Sequence, residues 1–257
     1  MESLENKIVF ITGASSGIGK ACAVEFAKAK AKLILSARRV DMVKNLSEEL
    51  KQKYNTETIF FHLDVRKRKD VEKAISDLPD EWKKIDILIN NAGLAKGFAK
   101  LHEDNPDNWD DMIDTNVKGL LYVTHAIVPF MVERKTGHVI NIGSIAGRAA
   151  YPNGSVYCAT KHAVLAINNS LRMDLIDKNI RVSTVDPGMV ETDFSNIRFN
   201  GDKEKAKQVY RGLKPLVAED IADAVIYCAS RPKHVNISEV VITPTAQANA
   251  FVAYREL

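Results

Sequence analysis

Ile8-Val9-Phe10-Ile11-Thr12-Gly13-Ala14-Ser15-Ser16-Gly17-Ile18-Gly19 joins an apolar run, a glycine-rich turn and the start of a helical pattern. Four apolar residues without a polar face fit a strand buried on both sides, as in a parallel sheet. The run stops at Thr12-Gly13, and helical spacing follows from about Gly17 to Lys30. A glycine-rich turn at this junction lets the backbone approach a pyrophosphate. The helix N-terminus behind it supplies free N–H groups and the positive end of a dipole. Gly13, Ser15, Ser16, Gly17, Ile18 and Gly19 are therefore expected at the phosphates of a dinucleotide. Their spacing is Gly-x3-Gly-x-Gly rather than Gly-x-Gly-x2-Gly.

Outward from this stretch, short β-branched runs alternate with longer helical patterns. Strands are expected at 32–35, 59–63, 85–89, 138–142, 180–185 and 239–242, with helices near 40–54, 68–78, 109–134, 155–178 and 218–230. Residues 188–216 read as irregular and polar. Strand-helix alternation of this length means an α/β doubly wound fold, a parallel sheet of about seven strands with helices on both faces. No Pro/Gly/Ser linker interrupts the chain, so residues 1–257 are expected to form one dinucleotide-binding and catalytic domain.

Composition narrows the class. A hydrophobic fraction of 46% with 27% charged residues describes a globule rather than a disordered chain. The net charge of +3 is too small to argue for nucleic acid, and Arg66-Lys67-Arg68-Lys69 runs directly into Asp70 and Glu72. Cys22, Cys158 and Cys228 form no CxxC pair, so neither a disulfide framework nor a metal site is expected. A reducing, cytoplasmic location follows. No apolar run approaches the length of a membrane span.

The end of the second strand chooses the dinucleotide. An acid there would bond a ribose 2′-hydroxyl. This chain has Ser36-Ala37-Arg38-Arg39 instead. A guanidinium fork suits a 2′-phosphate, so NADP(H) is expected, with Arg38 leading, Arg39 second and Ser15 assisting.

Tyr157 and Lys161 stand at i and i+4 on one helix and share a face. A free tyrosine, with a pKa of about 10, is a poor acid-base catalyst at neutral pH, and a nearby ammonium favours its phenolate. Three more features accompany the pair. Asn90-Asn91-Ala92-Gly93 follows the fourth strand, Asn116 lies inside the long helix where asparagine is disfavoured, and Ser144 follows the fifth strand.

In combination these motifs resemble the short-chain dehydrogenase/reductase family over nearly the whole chain. The resemblance implies that Tyr157 donates or takes the proton, Ser144 hydrogen-bonds the substrate oxygen, and Lys161 holds the cofactor ribose and tunes Tyr157. It implies that Asn116 anchors a water relay from Lys161. Asp64, Val65, Asn91, Ala92 and Gly93 would border the adenosine side, and Pro187, Gly188, Val190 and Thr192 the nicotinamide.

A finer resemblance, to NADP-dependent 3-hydroxy acid (serine or L-allo-threonine) dehydrogenases, is carried by Leu78-Pro79-Asp80-Glu81-Trp82, Asp114-Thr115-Asn116-Val117-Lys118-Gly119-Leu120, Ile145-Ala146-Gly147-Arg148 and Phe194-Ser195-Asn196-Ile197-Arg198-Phe199. It implies a hydride transfer on a small 3-hydroxy acid or its semialdehyde, and a homotetramer. A carboxylate wants a guanidinium in the pocket, and Arg198 is favoured for it ahead of Arg148. Segment 188–216 is expected to cover the substrate. Two other readings stay open at this point: a bulky apolar alcohol such as a steroid, retinoid or isoprenoid, and a catalytically silent NADP-binding sensor. Thr243-Pro244-Thr245-Ala246 stands where many relatives carry paired glycines.

Overall fold

The computed structural model describes residues 2–256. The chain runs β1 (Ile8–Thr12), α1 (Gly17–Lys28), β2 (Lys32–Ala37), α2 (Val40–Tyr54), β3 (Thr58–His62), α3 (Arg68–Ser76), β4 (Ile87–Asn90), α4 (Pro106–Ile113), a π-helical turn (Asp114–Gly119) and α5 (Leu120–Arg134). It continues with β5 (Gly137–Ile142), α6 (Ser155–Asp174), β6 (Ile180–Pro187), α7 (Phe194–Arg198), α8 (Lys203–Gln208), α9 (Ala218–Ala229) and β7 (Glu239–Ile242).

Seven parallel strands form one sheet in the order β3-β2-β1-β4-β5-β6-β7. The expected doubly wound architecture is what the chain adopts. Successive side chains of a strand point to opposite faces. Val9 and Ile11 of β1 therefore join Leu33, Leu35, Ile87 and Ile89 under α1, α2 and α9, while Ile8 and Phe10 join Leu88, Val139 and Val182 under α3 and α5. Emptying one such site, for example Leu88→Ala, costs about 2–5 kcal/mol.

The winding direction reverses between β1 and β4, whose carboxyl ends therefore bound a crevice. Thr12 and Asn91 stitch that crevice. Thr12 Oγ1 accepts from the backbone N–H groups of Asn91 and Ala92, both at 3.0 Å, and Asn91 Nδ2 donates to Thr12 O at 2.9 Å and Gly13 O at 3.1 Å. Gly13 has φ +67°, and a Cβ there would stand 2.9 Å from Asn91 Nδ2. Only glycine makes this turn without strain.

Some boundaries differ from expectation. β4 begins at Ile87, not Ile85, because the Asp86 carboxylate turns back to accept from Ile8 N at 3.0 Å. The expected helix 109–134 begins earlier, at Pro106, capped by the Asn105 side chain accepting from Asp107 N at 3.0 Å, and widens into the π-helical turn around Asn116. The irregular 188–216 segment contains the short helices α7 and α8.

Candidate active site

The crevice opens into a cavity of about 1280 Å³ that runs from the β1–α1 turn to the covering segment. At one end, Ser16 precedes α1 in extended conformation, no side chain caps the first N–H groups, and the first turn carries no acid. An uncapped helix start facing a cavity suits an anion. Arg39 Nη2 donates to Ser16 Oγ at 2.7 Å and Ser15 Oγ at 3.2 Å, and Arg38 lines the same wall. Two guanidinium groups, two hydroxyls and open backbone donors gather here. Asp41, the first acid after these arginines along the chain, does not line the cavity. This donor set fits a dinucleotide with a phosphate on its ribose. Arg39, placed second by the sequence, is the arginine that bonds the two serines.

Asp64 and Val65 border the cavity further along, with Asn91, Ala92 and Gly93 opposite. Arg66 grips Asp64 through Nη2 at 2.7 Å and Nε at 2.9 Å, and reaches Asp111 through Nη1 at 2.6 Å. The Arg66 guanidinium holds the Asp64 carboxyl below its ordinary pKa. Asp64 thus presents a charged acceptor to the cavity.

At the other end stand Ser144, Tyr157 and Lys161. Ser144 ends the β5 extension, its Oγ accepting from Ala146 N at 3.1 Å. Lys161 is 7% exposed and donates to Ile142 O at 2.9 Å. Burial lowers its pKa to about 8, opposed by the Asp186 charge. Lys161 Nζ lies 6.0 Å from the Tyr157 ring centre, and the Phe194 ring meets that ring edge-on at 5.7 Å. Burial pushes the Tyr157 hydroxyl above its ordinary value, Tyr151 adds to this, and the Ser144 hydroxyl and Arg198 pull it down. In the protein alone, then, burial is the largest influence on this hydroxyl, and the groups that pull it down are Ser144 and Arg198.

Arg198 projects from the end of α7 into the cavity wall. Its guanidinium carbon lies 4.8 Å from the Phe98 ring centre, 5.5 Å from that of Tyr151 and 5.8 Å from that of Tyr157. It donates to Tyr151 Oη at 3.1 Å and Gly97 O at 3.3 Å. Among the described residues no carboxylate pairs with it. A cation cupped by aromatic rings and lacking a counter-charge can take an anionic ligand.

Two expectations, for Arg148 and Gly19, need correction. Arg148 does not line the cavity: it donates to Asp186 from Nε at 2.8 Å and also pairs with Glu239. It offsets the charge of a carboxylate whose side chain is 3% exposed, so it is not free for a substrate. Asn116 stands one layer behind the wall. Its Oδ1 accepts from Leu94 N and its Nδ2 donates to Leu94 O, both at 2.8 Å, with a further bond to Thr160 Oγ1 at 3.1 Å. These bonds pin the Gly93-Leu94 backbone. Gly19 also lies behind the wall, where a Cβ would collide with Asn91 Nδ2 and Gly13 O.

The remaining expected residues, Gly13, Gly17, Ile18, Pro187, Gly188, Val190 and Thr192, all line the cavity. Phe98, Tyr151, Phe194 and Gln247 line it too. No spacing rule points to them, because folding alone brings these distant positions together. Tyr151 carried the one available signal, an aromatic residue close before Tyr157 on the same connection.

Comparison with known proteins agrees with this geometry. The family model for short chain dehydrogenases matches residues 7–203. A protein of Schizosaccharomyces pombe named NADP-dependent 3-hydroxy acid dehydrogenase is 46% identical over 257 residues, covering 100% of this chain and 99% of that one. A Salmonella typhi protein of the same activity is 44% identical over 244 residues, covering 95% and 97%. The closed form of serine dehydrogenase complexed with NADP+ superimposes with a TM-score of 0.91 at 41% identity, covering 97% of this chain and 100% of that one.

Proposed function

The chain belongs to the short-chain dehydrogenase family, and we propose that it is an NADP(H)-dependent oxidoreductase acting on a small 3-hydroxy acid or the matching semialdehyde. The observation that carries the substrate reading is Arg198, a cavity-facing guanidinium without a carboxylate partner among the described residues, 5.8 Å from the Tyr157 ring centre. A bulky apolar carbonyl would leave that cation unused, and a silent sensor would have no use for the Ser144, Tyr157 and Lys161 group.

Arg38, Arg39, Ser15, Ser16 and the first turn of α1 would hold the phosphates of the cofactor, and Asp64 its adenine side. When bound, the nicotinamide supplies or accepts the hydride. Ser144 orients the carbonyl oxygen by a hydrogen bond. Tyr157 gives that oxygen its proton as it gains charge during reduction, and takes the proton back during oxidation. Tyr157 is protonated at neutral pH, as the proton donor of reduction must be, while burial raises the cost of its phenolate. Lys161 places a positive charge beside the phenol on the same helix face, limiting the cost of the phenolate. Arg198 and the Tyr151 hydroxyl take the carboxylate, setting the distance from anion to reacting carbon.

We propose further that residues 1–257 act as one domain, that the protein works in the cytoplasm as a homotetramer, and that Asn116 serves catalysis by fixing the Gly93-Leu94 wall. Three free, buried cysteines support a reducing compartment, and Leu121, Met173 and Ile176, each more than 40% exposed, offer apolar contact to other subunits. No helix among the described residues is long and apolar enough to cross a membrane.

The test is NADPH oxidation with malonate semialdehyde beside an uncharged aldehyde of equal length, and NADP+ reduction with L-serine. A strong preference for the acid is expected. Equal rates would remove the carboxylate anchor and leave the reductase chemistry.

A further inference from the structure

The covering segment between Met189 and Gly212 contains two helices of 5 and 6 residues. Helices this short do not hold themselves in place. Much of what holds the segment comes from the end of the chain. After β7, Thr243-Pro244-Thr245-Ala246 turns the backbone into a hairpin. Gln247 bridges Ala253 in antiparallel fashion, Tyr254 N donates to Ala246 O at 2.8 Å, and Asn249 Oδ1 closes the tip by accepting from Phe251 N at 3.0 Å and Val252 N at 2.9 Å.

This hairpin grips the covering segment at both ends. At the near end Gln247, only 4% exposed, accepts from Met189 N at 2.8 Å and donates to Asn249 O at 3.1 Å. Its amide lies so close to Gly188 that a Cβ there would overlap Gln247 Oε1. At the far end Arg255 donates to Arg211 O at 2.6 Å and Val209 O at 3.0 Å, and Glu256 N donates to Gly212 O at 2.7 Å. Gly212 has φ +77°, and a Cβ there would lie 2.7 Å from Glu256 O, so the backbones touch. Between the two grips, Ala250 and Phe251 at the hairpin tip line the cavity.

We infer that the C-terminal hairpin, residues 244–256, is a working part of the active site, with Gln247 and Arg255 as positioning residues that keep the covering segment seated over the cavity. The kinetic half of the inference rests on the oxidoreductase reading. The structural half does not.

The experiment compares the full-length protein with Arg255→Ala and Gln247→Ala in two measurements. The first is limited trypsin digestion with NADPH present, read at Lys203, Lys205, Lys207 and Arg211. The second is KM and kcat for malonate semialdehyde. Loss of two hydrogen bonds predicts digestion and KM each raised by roughly tenfold in Arg255→Ala, with kcat not lowered. A lowered melting temperature with unchanged digestion and unchanged KM would overturn the inference. If Gln247→Ala fails to fold, removal of residues 255–257 asks the same question from the far end. If the wild-type protein turns over no acid, the substrate reading fails while the digestion result still decides this one.

Discussion

Arg198 holds its guanidinium carbon 5.8 Å from the centre of the Tyr157 ring, inside a cup completed by Phe98 and Tyr151. A ligand whose anion rests on Arg198 therefore meets the tyrosine only a few bonds further along. The covering segment carries the cation and α6 carries the tyrosine, so seating of that segment sets the distance between the two groups.

Arg198→Ala should lower kcat/KM for malonate semialdehyde by roughly 10- to 100-fold, the loss of a charge-assisted hydrogen bond to a substrate oxygen. The same variant should leave an uncharged aldehyde of equal length nearly unaffected. Steady-state kinetics on the two substrates reads this directly. An equal loss on both would make Arg198 a structural support through Tyr151 and Gly97.

Arg38→Asp and Arg39→Asp should each weaken NADPH far more than NADH, because a carboxylate repels a 2′-phosphate and accepts from a 2′-hydroxyl. The Arg39 variant should lose more than its charge alone explains, since it also releases Ser15 and Ser16. Fluorescence titration with both cofactors measures the ratio. Parallel weakening of the two would mean that neither arginine reads the phosphate.

Lys161 should cost the fold stability. Its folded pKa of about 8 lies below the ordinary 10.5, so the unfolded chain binds the extra proton between those values and stability rises with pH across that window. Below about pH 8 the cost is complete, and above 10.5 it is gone. Lys161→Met should be more stable than the wild type by up to roughly 3 kcal/mol at pH 7, with the gap closing toward pH 10. Denaturant melts at the two pH values test it, and a gap that stays constant with pH would show that the lysine charge is not the cause.

His138 should make the protein acid-sensitive. It is 1% exposed, its Nε2 shares a 2.7 Å hydrogen bond with Ser183 Oγ, and burial first, then the Arg181 charge, keep its pKa well below 6.5. The unfolded chain takes up the proton that the fold refuses, so stability falls as pH drops below about 6.5, by up to about 1.4 kcal/mol per pH unit. His138→Gln keeps a partner for Ser183 without the titration and should flatten this limb. An unchanged acid limb would locate the sensitivity elsewhere.

Local patterns carried much of this molecule in its sequence. The apolar run and glycine turn of β1 and α1, the arginines after β2 and the helical spacing of Tyr157 and Lys161 are each set by neighbours within a few residues. Contacts between distant positions were illegible. Arg148 could not be seen to face Asp186 and Glu239, since that depends on strand order. Asn116 was noticed as a poor helix former, but its bonds to Leu94 and the π-helical turn that permits them are tertiary. The hairpin at Gln247 left only a missing glycine pair as its trace.

Tyr157→Phe tests the central claim most directly, because it keeps the ring against Phe194 and removes the hydroxyl that carries the proton. NADPH binding is followed by fluorescence and turnover by NADPH oxidation with malonate semialdehyde. The account predicts near-normal cofactor binding with turnover lowered at least ~10²–10⁴-fold, the range of general acid-base catalysis. Turnover close to the wild type would contradict it.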